Sequence, residues 1–215
     1  MQWNKENTTK TMKIFITGIS TEVGKTLISA IVTEALEADY WKPIQAGELD
    51  NSDTHKVKAL ISNKKSKFHP NAYALHTPMS PHAAAEIDKV VIEMNAINTP
   101  KTKNHLVIEG AGGLLVPLNE ENTILDIIAD DCKVIVVSRH YLGSINHTLM
   151  TLKILQERGL EVGVIFSGDP HPSTESIIQK MTGVSVMGRV AEEVEINKDV
   201  IKRYADLFRE KLLNI

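Results

Sequence analysis

Short runs of continuous apolar residues alternate along this chain with longer stretches of helical period. Lys13-Ile14-Phe15-Ile16-Thr17 is the first run, and Gly18 ends it. Behind it, Leu27, Ile31 and Ala35 form one i, i+4 row, and Ile28, Val32 and Leu36 form the next. Together they make a broad apolar face able to lie on a sheet. Further runs are Leu106-Val107-Ile108, Val134-Ile135-Val136-Val137, Val162-Gly163-Val164-Ile165-Phe166 and the weaker Val184-Ser185-Val186-Met187. Helical patterns cover residues 145–157, 173–181 and 198–213. Strands that are apolar on both faces, alternating with helices, predict an α/β fold: one domain, doubly wound, with a mainly parallel sheet covered by helices on both sides. Residues 62–70 are lysine-rich and read as a solvated loop. The segment around Pro78, Pro81 and Pro100 reads as irregular and too short for a second domain. Ligands of such folds bind at the carboxyl ends of strands, so the residues just after each run carry the information.

Composition narrows the classes. With 42% apolar and 24% charged residues the chain is globular rather than disordered. A net charge of −3 lacks the basic excess that nucleic acid or an anionic membrane requires. No run approaches the roughly 20 apolar residues of a membrane span. The first residues are polar, without the apolar core of a secretory signal. The expectation is a cytoplasmic protein with a disordered N-terminal tail over residues 1–11 and one catalytic domain over 12–215. The single cysteine, Cys132, excludes an internal disulfide framework and a cysteine-cluster metal site, and reads as a small buried apolar group.

The strongest motif is Gly18-Ile19-Ser20-Thr21-Glu22-Val23-Gly24-Lys25-Thr26, set between the first strand and the first helix. In that context backbone N–H groups at a helix start cradle phosphate oxygens. Lys25 then reaches the β- and γ-phosphates and the Thr26 hydroxyl suits Mg²⁺. Five residues separate Gly18 from Gly24, where the general phosphate loop has four and a glycine at the place of Ile19. Glu109-Gly110-Ala111-Gly112-Gly113 follows a later run. A carboxylate at a strand end beside a phosphate loop suits Mg²⁺, a hard cation; alone, the string is a glycine-rich turn with a capping acid. Lys42-Pro43 follows Tyr40-Trp41. It is either an exposed turn or a cation that balances phosphate charge or orients a substrate anion. Asn51-Ser52-Asp53 reads first as a cap or turn, with Asp53 a second Mg²⁺ ligand if the fold turns it inward. In Leu142-Gly143-Ser144-Ile145-Asn146-His147, Ser144 and Asn146 are candidate caps, and the helix start there is able to hold a carboxylate. The eight histidines show no metal-ligand spacing with supporting carboxylates.

Taken in order, these five motifs, with Ser80-Pro81-His82, resemble dethiobiotin synthetase, a family of ATP-dependent carboxylases within the P-loop NTPase superfamily. The long spacing from Gly18 to Gly24 resembles that family's own variant. The resemblance runs from about Met12 to about Glu195. It implies that 7,8-diaminononanoate, CO₂ and ATP give dethiobiotin, ADP and phosphate, in biotin synthesis. It implies that Lys42 and Lys25 neutralise a carbamate and the γ-phosphate, and that Thr21 helps hold the reacting end. Thr26, Asp53 and Glu109 would surround Mg²⁺. Glu22, Val23, Gly24, Lys25, Thr26 and Leu27, with Glu109, Gly110, Ala111 and Gly112, would line the ATP phosphates and the reacting end. Ser167 and Gly168 stand where the family reads adenine. Gly143, Ser144 and Asn146 would hold the substrate's carboxylate tail across a homodimer. Neither nucleic acid nor membrane is an expected partner.

Three departures accompany the resemblance. Ala46 stands where members often carry Ser or Thr. The Asn-Asp pair that reads adenine is replaced by Ser167-Gly168, with Asp169 shifted by one. The proline-containing segment over the base is Gly188-Arg189-Val190-Ala191. The phosphate elements are intact and both base-reading elements differ, so the expectation is ATP use with weak discrimination among nucleoside triphosphates. A partitioning or metal-delivery ATPase is the alternative. Many of those carry an additional lysine at the loop start, where this chain has Ile19 and Ser20, and metal-delivery members have cysteine or histidine clusters. A small-molecule kinase would have an arginine-rich lid, and Arg139, Arg158, Arg189, Arg203 and Arg209 are scattered.

Overall fold

The computed structural model describes residues 11–214. Of the tail expected at the N-terminus, residues 1–10 lie outside the described residues; Thr11 is exposed and leads into the first strand. Strand β1 (Lys13–Gly18) is followed by α1 (Lys25–Leu36), β2 (Asp39–Trp41), β3 (Ile44–Ala46), α2 (Asp53–Leu60), β4 (Phe68–His69), β5 (Tyr73–Leu75) and α3 (Pro81–Asp88). The second half runs β6 (Leu106–Gly113), β7 (Cys132–Arg139), α4 (Ser144–Glu157), β8 (Glu161–Ser167), α5 (Pro172–Thr182), β9 (Ser185–Val190) and α6 (Lys198–Leu213). Seven strands form one sheet in the order β4-β2-β6-β1-β7-β8-β9, and every pair in it is parallel. The expected doubly wound α/β architecture is present.

Parallel neighbours need crossovers, and those here are the helices. From β1 the chain winds one way to β2 and the other way through β7, β8 and β9. The carboxyl end of β1 is therefore a topological switch point, the crevice where open α/β sheets bind ligands. The central strands are fully buried: Ile14, Phe15 and Ile16 of β1 and Val134 to Val137 of β7 are at most 1% exposed. Helix α1 packs against α6, and α4 against α5. In α1 the expected rows are buried at Ile28, Ile31, Val32 and Ala35.

Three sequence expectations are corrected, and one feature was not foreseen. The lysine-rich loop of residues 62–70 contains β4, which extends the sheet beside β2. The irregular segment after Pro78 contains α3, with Pro81 in its first turn, where a missing N–H costs nothing. A separate two-stranded parallel pair, β3 with β5, was not foreseen. Glu109 and Gly110 do not follow a strand: β6 continues through Gly113, so Glu109 lies inside it, opposite Ile16 of β1. Cys132 opens β7 and is buried; burial, its largest cause, pushes the thiol pKa up to about 11. Among the described residues no helix is long and apolar enough to cross a membrane.

Candidate active site

The loop after β1 leads straight into α1. Its first residue still belongs to the sheet: the Ile19 N–H donates to the Val137 carbonyl at 3.1 Å, and the Ile19 side chain is buried. The residue that lengthens the glycine spacing thus prolongs strand pairing, and the free loop begins at Ser20. Gly24 occupies the cap position of α1 at φ 97, without a side-chain cap. The left-handed conformation favours glycine, and a Cβ there would stand 3.1 Å from Ser167 Oγ. With no side chain over the helix start, its unpaired N–H groups stay open to an anion. Glu22 is also left-handed, at φ 55, a strain that persists where surrounding structure imposes it.

Four charged groups converge beside this loop. The Lys42 ammonium lies 2.8 Å from Asp53 Oδ2 and 3.1 Å from Glu109 Oε1, and donates to the Gly110 carbonyl at 3.2 Å. The Thr26 hydroxyl donates to Glu109 Oε1 at 3.0 Å, and the Tyr40 hydroxyl donates to Glu109 Oε2 at 2.8 Å. Lys25 folds back to the Ser20 carbonyl at 2.9 Å. Burial, then Lys42, lower the Lys25 pKa to about 8, against Glu109 and Asp53. Burial pulls the Lys42 ammonium down as well, but Glu109 and Asp53 together more than offset it, so its pKa is raised. Burial works to raise the Asp53 carboxyl, and Lys42 overrides it, holding Asp53 below its ordinary value. Burial and Glu109 push the Tyr40 phenol well above its ordinary value.

These positions follow from local structure. Lys42 leaves the carboxyl end of β2, whose neighbour is β6, the strand of Glu109. Ser52 caps α2, accepting from the His55 N–H, and Asp53 is the first residue of that helix. The cap reading of Asn51-Ser52-Asp53 therefore holds for Ser52, while Asp53 turns inward. A cleft of about 710 Å³ opens on the cluster. Lys42, Lys25 and Thr21 all line it, as do Glu22, Gly24, Thr26, Leu27, Asp53, Glu109, Ala111 and Gly112. Val23 and Gly110 are not on its wall: Val23 is buried in the core, and Gly110 contributes its carbonyl. Ala46 lines the cleft without a hydroxyl, and Ser80 and Pro81 face it from across.

Sequence reasoning missed Tyr40 and Gln45. The Gln45 amide donates to the Gly47 carbonyl at 3.0 Å and its carbonyl accepts from the Asp53 N–H at 3.2 Å, which seats the start of α2. The available signal was a phenol and an amide inside short apolar segments, since both need partners when buried.

The remaining expected residues lie elsewhere. Ser167 ends β8 against Gly24. The Gly168 N–H donates to the Val190 carbonyl at 2.8 Å, and Arg189 holds the carbonyls of Gly168 and Asp169 at 3.1 Å each. Arg189 also pairs with Glu175, and Arg139 pairs with Glu192 at 2.5 Å. Gly143, Ser144 and Asn146 do not line the Lys42 cleft. Neither Ser144 nor Asn146 is the cap of α4: Gly143 holds that position at φ 100 with no side-chain cap, Ser144 is the first helical residue, and Asn146 is two further on. Ser144 is buried, while Gly143 and Asn146 are exposed.

The donor set of Thr26, Asp53 and Glu109 is two carboxylates and a hydroxyl. It fits a hard divalent cation that keeps waters and takes phosphate oxygens as further ligands. Among the described residues no group of three or more His, Cys, Asp or Glu side chains forms a self-sufficient metal cage. A glycine-capped helix start after β1, a lysine at that start and a buried carboxylate on a neighbouring strand define the class: a P-loop nucleoside triphosphatase.

Comparison with known proteins agrees. A family model described as an AAA domain matches residues 12–199. The chain is 60% identical to the ATP-dependent dethiobiotin synthetase BioD of Christiangramia forsetii over 94% of this chain and 98% of that one. It is 50% identical to that of Cytophaga hutchinsonii, over 90% and 95%. It belongs to the ATP-dependent dethiobiotin synthetase family. In fold it is similar to a plasmid partition protein of Borrelia burgdorferi bound to AMPPNP (TM-score 0.59, 13% identical, covering 96% of this chain and 100% of that chain). A ParA family ATPase of Chlorobium tepidum is similar at TM-score 0.51 and 12% identity, over 95% of this chain and 97% of that chain. Those two likenesses concern the fold alone.

Proposed function

We propose that this chain carboxylates 7,8-diaminononanoate and closes the ureido ring of dethiobiotin in the cleft between the phosphate loop and Lys42. One amine takes CO₂ as a carbamate. A carbamate oxygen attacks the γ-phosphorus of ATP, and ADP leaves. The second amine attacks the carbonyl of the resulting carbamic–phosphoric anhydride, and phosphate leaves. Negative charge gathers on the carbamate and on the transferring phosphoryl group, so positioning and cations do most of the work.

The observation that carries this reading is the pair of buried ammonium groups, Lys25 and Lys42, at one end of the cleft. Lys25 is assigned to the γ-phosphate and Lys42 to the carbamate, with Thr21 at the reacting end. Glu22, Gly24, Thr26, Leu27, Ala111 and Gly112 are assigned to the nucleotide phosphates. Thr26, Asp53 and Glu109 are assigned to Mg²⁺, which when bound neutralises charge on the phosphate oxygens. Ser167 and Gly168 are assigned to the base side.

We assign the active form as a homodimer in which the helix start at Gly143, Ser144 and Asn146 serves the partner's substrate tail. Support comes from apolar exposure around that start: Leu142 is fully exposed, and Tyr141, Ile145 and Met150 are also exposed. Residues 12–215 are read as one catalytic domain. A lone free thiol at Cys132 suits the reducing cytoplasm.

The test is release of phosphate from ATP with diaminononanoate and bicarbonate added singly and together. Release that requires both is the expected result; release indifferent to both overturns the reading. Sedimentation at micromolar concentration checks the dimer.

A further inference from the structure

An ammonium has three donors, and those of Lys42 are all engaged: with Asp53 at 2.8 Å, with Glu109 at 3.1 Å and with the Gly110 carbonyl at 3.2 Å. The side chain is 5% exposed. Held in this way, Lys42 has nothing left to offer a substrate anion. It also stands between two of the oxygen-bearing groups assigned to the metal. Glu109 is otherwise satisfied, with Thr26 on Oε1 and Tyr40 on Oε2. Lys56 also lies 3.9 Å from Asp53 Oδ1 and pairs with Glu48 at 2.5 Å, so Lys25, Lys42 and Lys56 balance Asp53, Glu109 and Glu48 without another cation.

We propose that Lys42 has two stations: it occupies the metal's place between Asp53 and Glu109 in the unloaded protein, and it is released toward the substrate anion only when a divalent cation takes those carboxylates. This deepens the synthetase reading and rests on it. Two cations cannot share the same pair of carboxylates at contact distance without strong mutual repulsion. A doubly charged ion competes for oxygen ligands with one more charge than the ammonium has. The Gly110 carbonyl belongs to neither carboxylate and can keep Lys42 nearby as it turns. The displaced ammonium then finds its counter-charge on the anionic substrate. The cation for the carbamate thus becomes available only after the metal is in place, which couples the two binding events positively.

The test is made on nucleotide-free protein with Mn²⁺ as the probe, its free concentration read by electron paramagnetic resonance. Lys42→Met removes the competing ammonium while keeping much of its stem. It is expected to bind Mn²⁺ at least about tenfold more tightly than the unsubstituted protein. Lys42→Arg keeps the charge and is expected to stay near the unsubstituted affinity. Equal or weaker binding by a folded Lys42→Met overturns the proposal. A second measurement uses the unsubstituted protein and needs no variant to fold. Reductive dimethylation of lysines, read by peptide mass spectrometry, is expected to leave Lys42 protected without metal and to label it several-fold faster with Mn²⁺. Labelling that Mn²⁺ does not change also overturns it. Neither readout involves turnover, so the synthetase reading stands or falls separately, on substrate-dependent phosphate release.

Discussion

Two regions at the carboxyl edge of the sheet carry charge in different ways. Around β1, β2 and β6, Lys42 and Glu109 touch with side chains 5% and 1% exposed. Beyond them, Arg139 at the end of β7 and Glu192 just after β9 pair at 43% and 53% exposure. An exposed pair is screened and worth little. Removing one member of a buried pair leaves an uncompensated charge, which costs much. On the proposed function, the same residue types therefore carry chemistry in one region and adjust fit in the other. Lys42→Ala breaks the comparison where it is strongest. Turnover is expected to fall by about 10² to 10³, with the far-ultraviolet circular dichroism of the native fold retained. Turnover within a few-fold of the unsubstituted enzyme would limit Lys42 to a structural role in the buried ion cluster.

The region around β1, β2 and β6 was also the more legible one in the sequence. Gly24-Lys25-Thr26 between an apolar run and a helical pattern has one strong physical reading, and the structure gives a glycine-capped helix start at that place. The strand β2 was harder, because three residues buried on both sides show no period, and only the lysine after it drew notice. Strand β4 has two residues and hid in a lysine-rich stretch. Asp53 was ambiguous because a cap and a ligand look alike until the fold supplies Lys42. The helix start at Gly143 misled in detail: its polar neighbours promised a side-chain cap, yet the left-handed glycine turns the chain without one. Tyr40 and Gln45 offered only a polar group within an apolar run, and their roles lie in what they touch on β6 and α2.

Gly24→Ala tests the junction between the two regions, where the start of α1 meets Ser167. The φ of 97 and the 3.1 Å approach to Ser167 Oγ leave a methyl group no relaxed position. A stability loss of about 1–3 kcal/mol and a KM for ATP raised roughly tenfold are expected, measured by urea unfolding and initial rates. A variant as stable as the parent would show that the loop accommodates a side chain.

Effects at Ser167-Gly168, the proposed base side, should be smaller. The Gly168 N–H and the carbonyls of Gly168 and Asp169 are engaged within the protein, and no amide side chain stands at Ser167-Gly168. Few fixed groups then remain to separate one base from another. The kcat/KM values for ATP, GTP and CTP are expected to fall within about a hundredfold of one another, since large discrimination needs a hydrogen-bonding site left unpaired by the wrong base. A preference for ATP beyond about a thousandfold would place base reading in residues other than these. Glu192→Ala is expected to change the KM for ATP by no more than about threefold.

The smallest effect on catalysis belongs to Asp39, at the opposite end of β2 from Lys42. Its carboxylate accepts from the Lys67 N–H at 3.0 Å, the Thr102 hydroxyl at 2.7 Å and the Asn104 amide at 3.2 Å, with His69 Nε2 at 3.2 Å. Burial works to raise its pKa, and the hydrogen bonds, Thr102 foremost, override it and hold the carboxyl below its ordinary value. A carboxyl depressed in the folded state stabilises above its unfolded pKa of about 3.9, and that contribution is lost as pH falls through the lower folded value. Asp39→Asn should therefore cost about 1–3 kcal/mol near neutrality, and the gap in Tm to the parent should close as pH falls below the unfolded pKa and through the lower folded value. The turnover number should stay within about twofold, because the other end of β2 is pinned independently by Glu109 through Tyr40 and Lys42. A gap in Tm that is constant with pH would mean that the loss reflects packing rather than the ionised carboxylate. A large fall in turnover would mean that the two ends of β2 move as one, and that the buried cluster owes its geometry to a residue well outside the cleft.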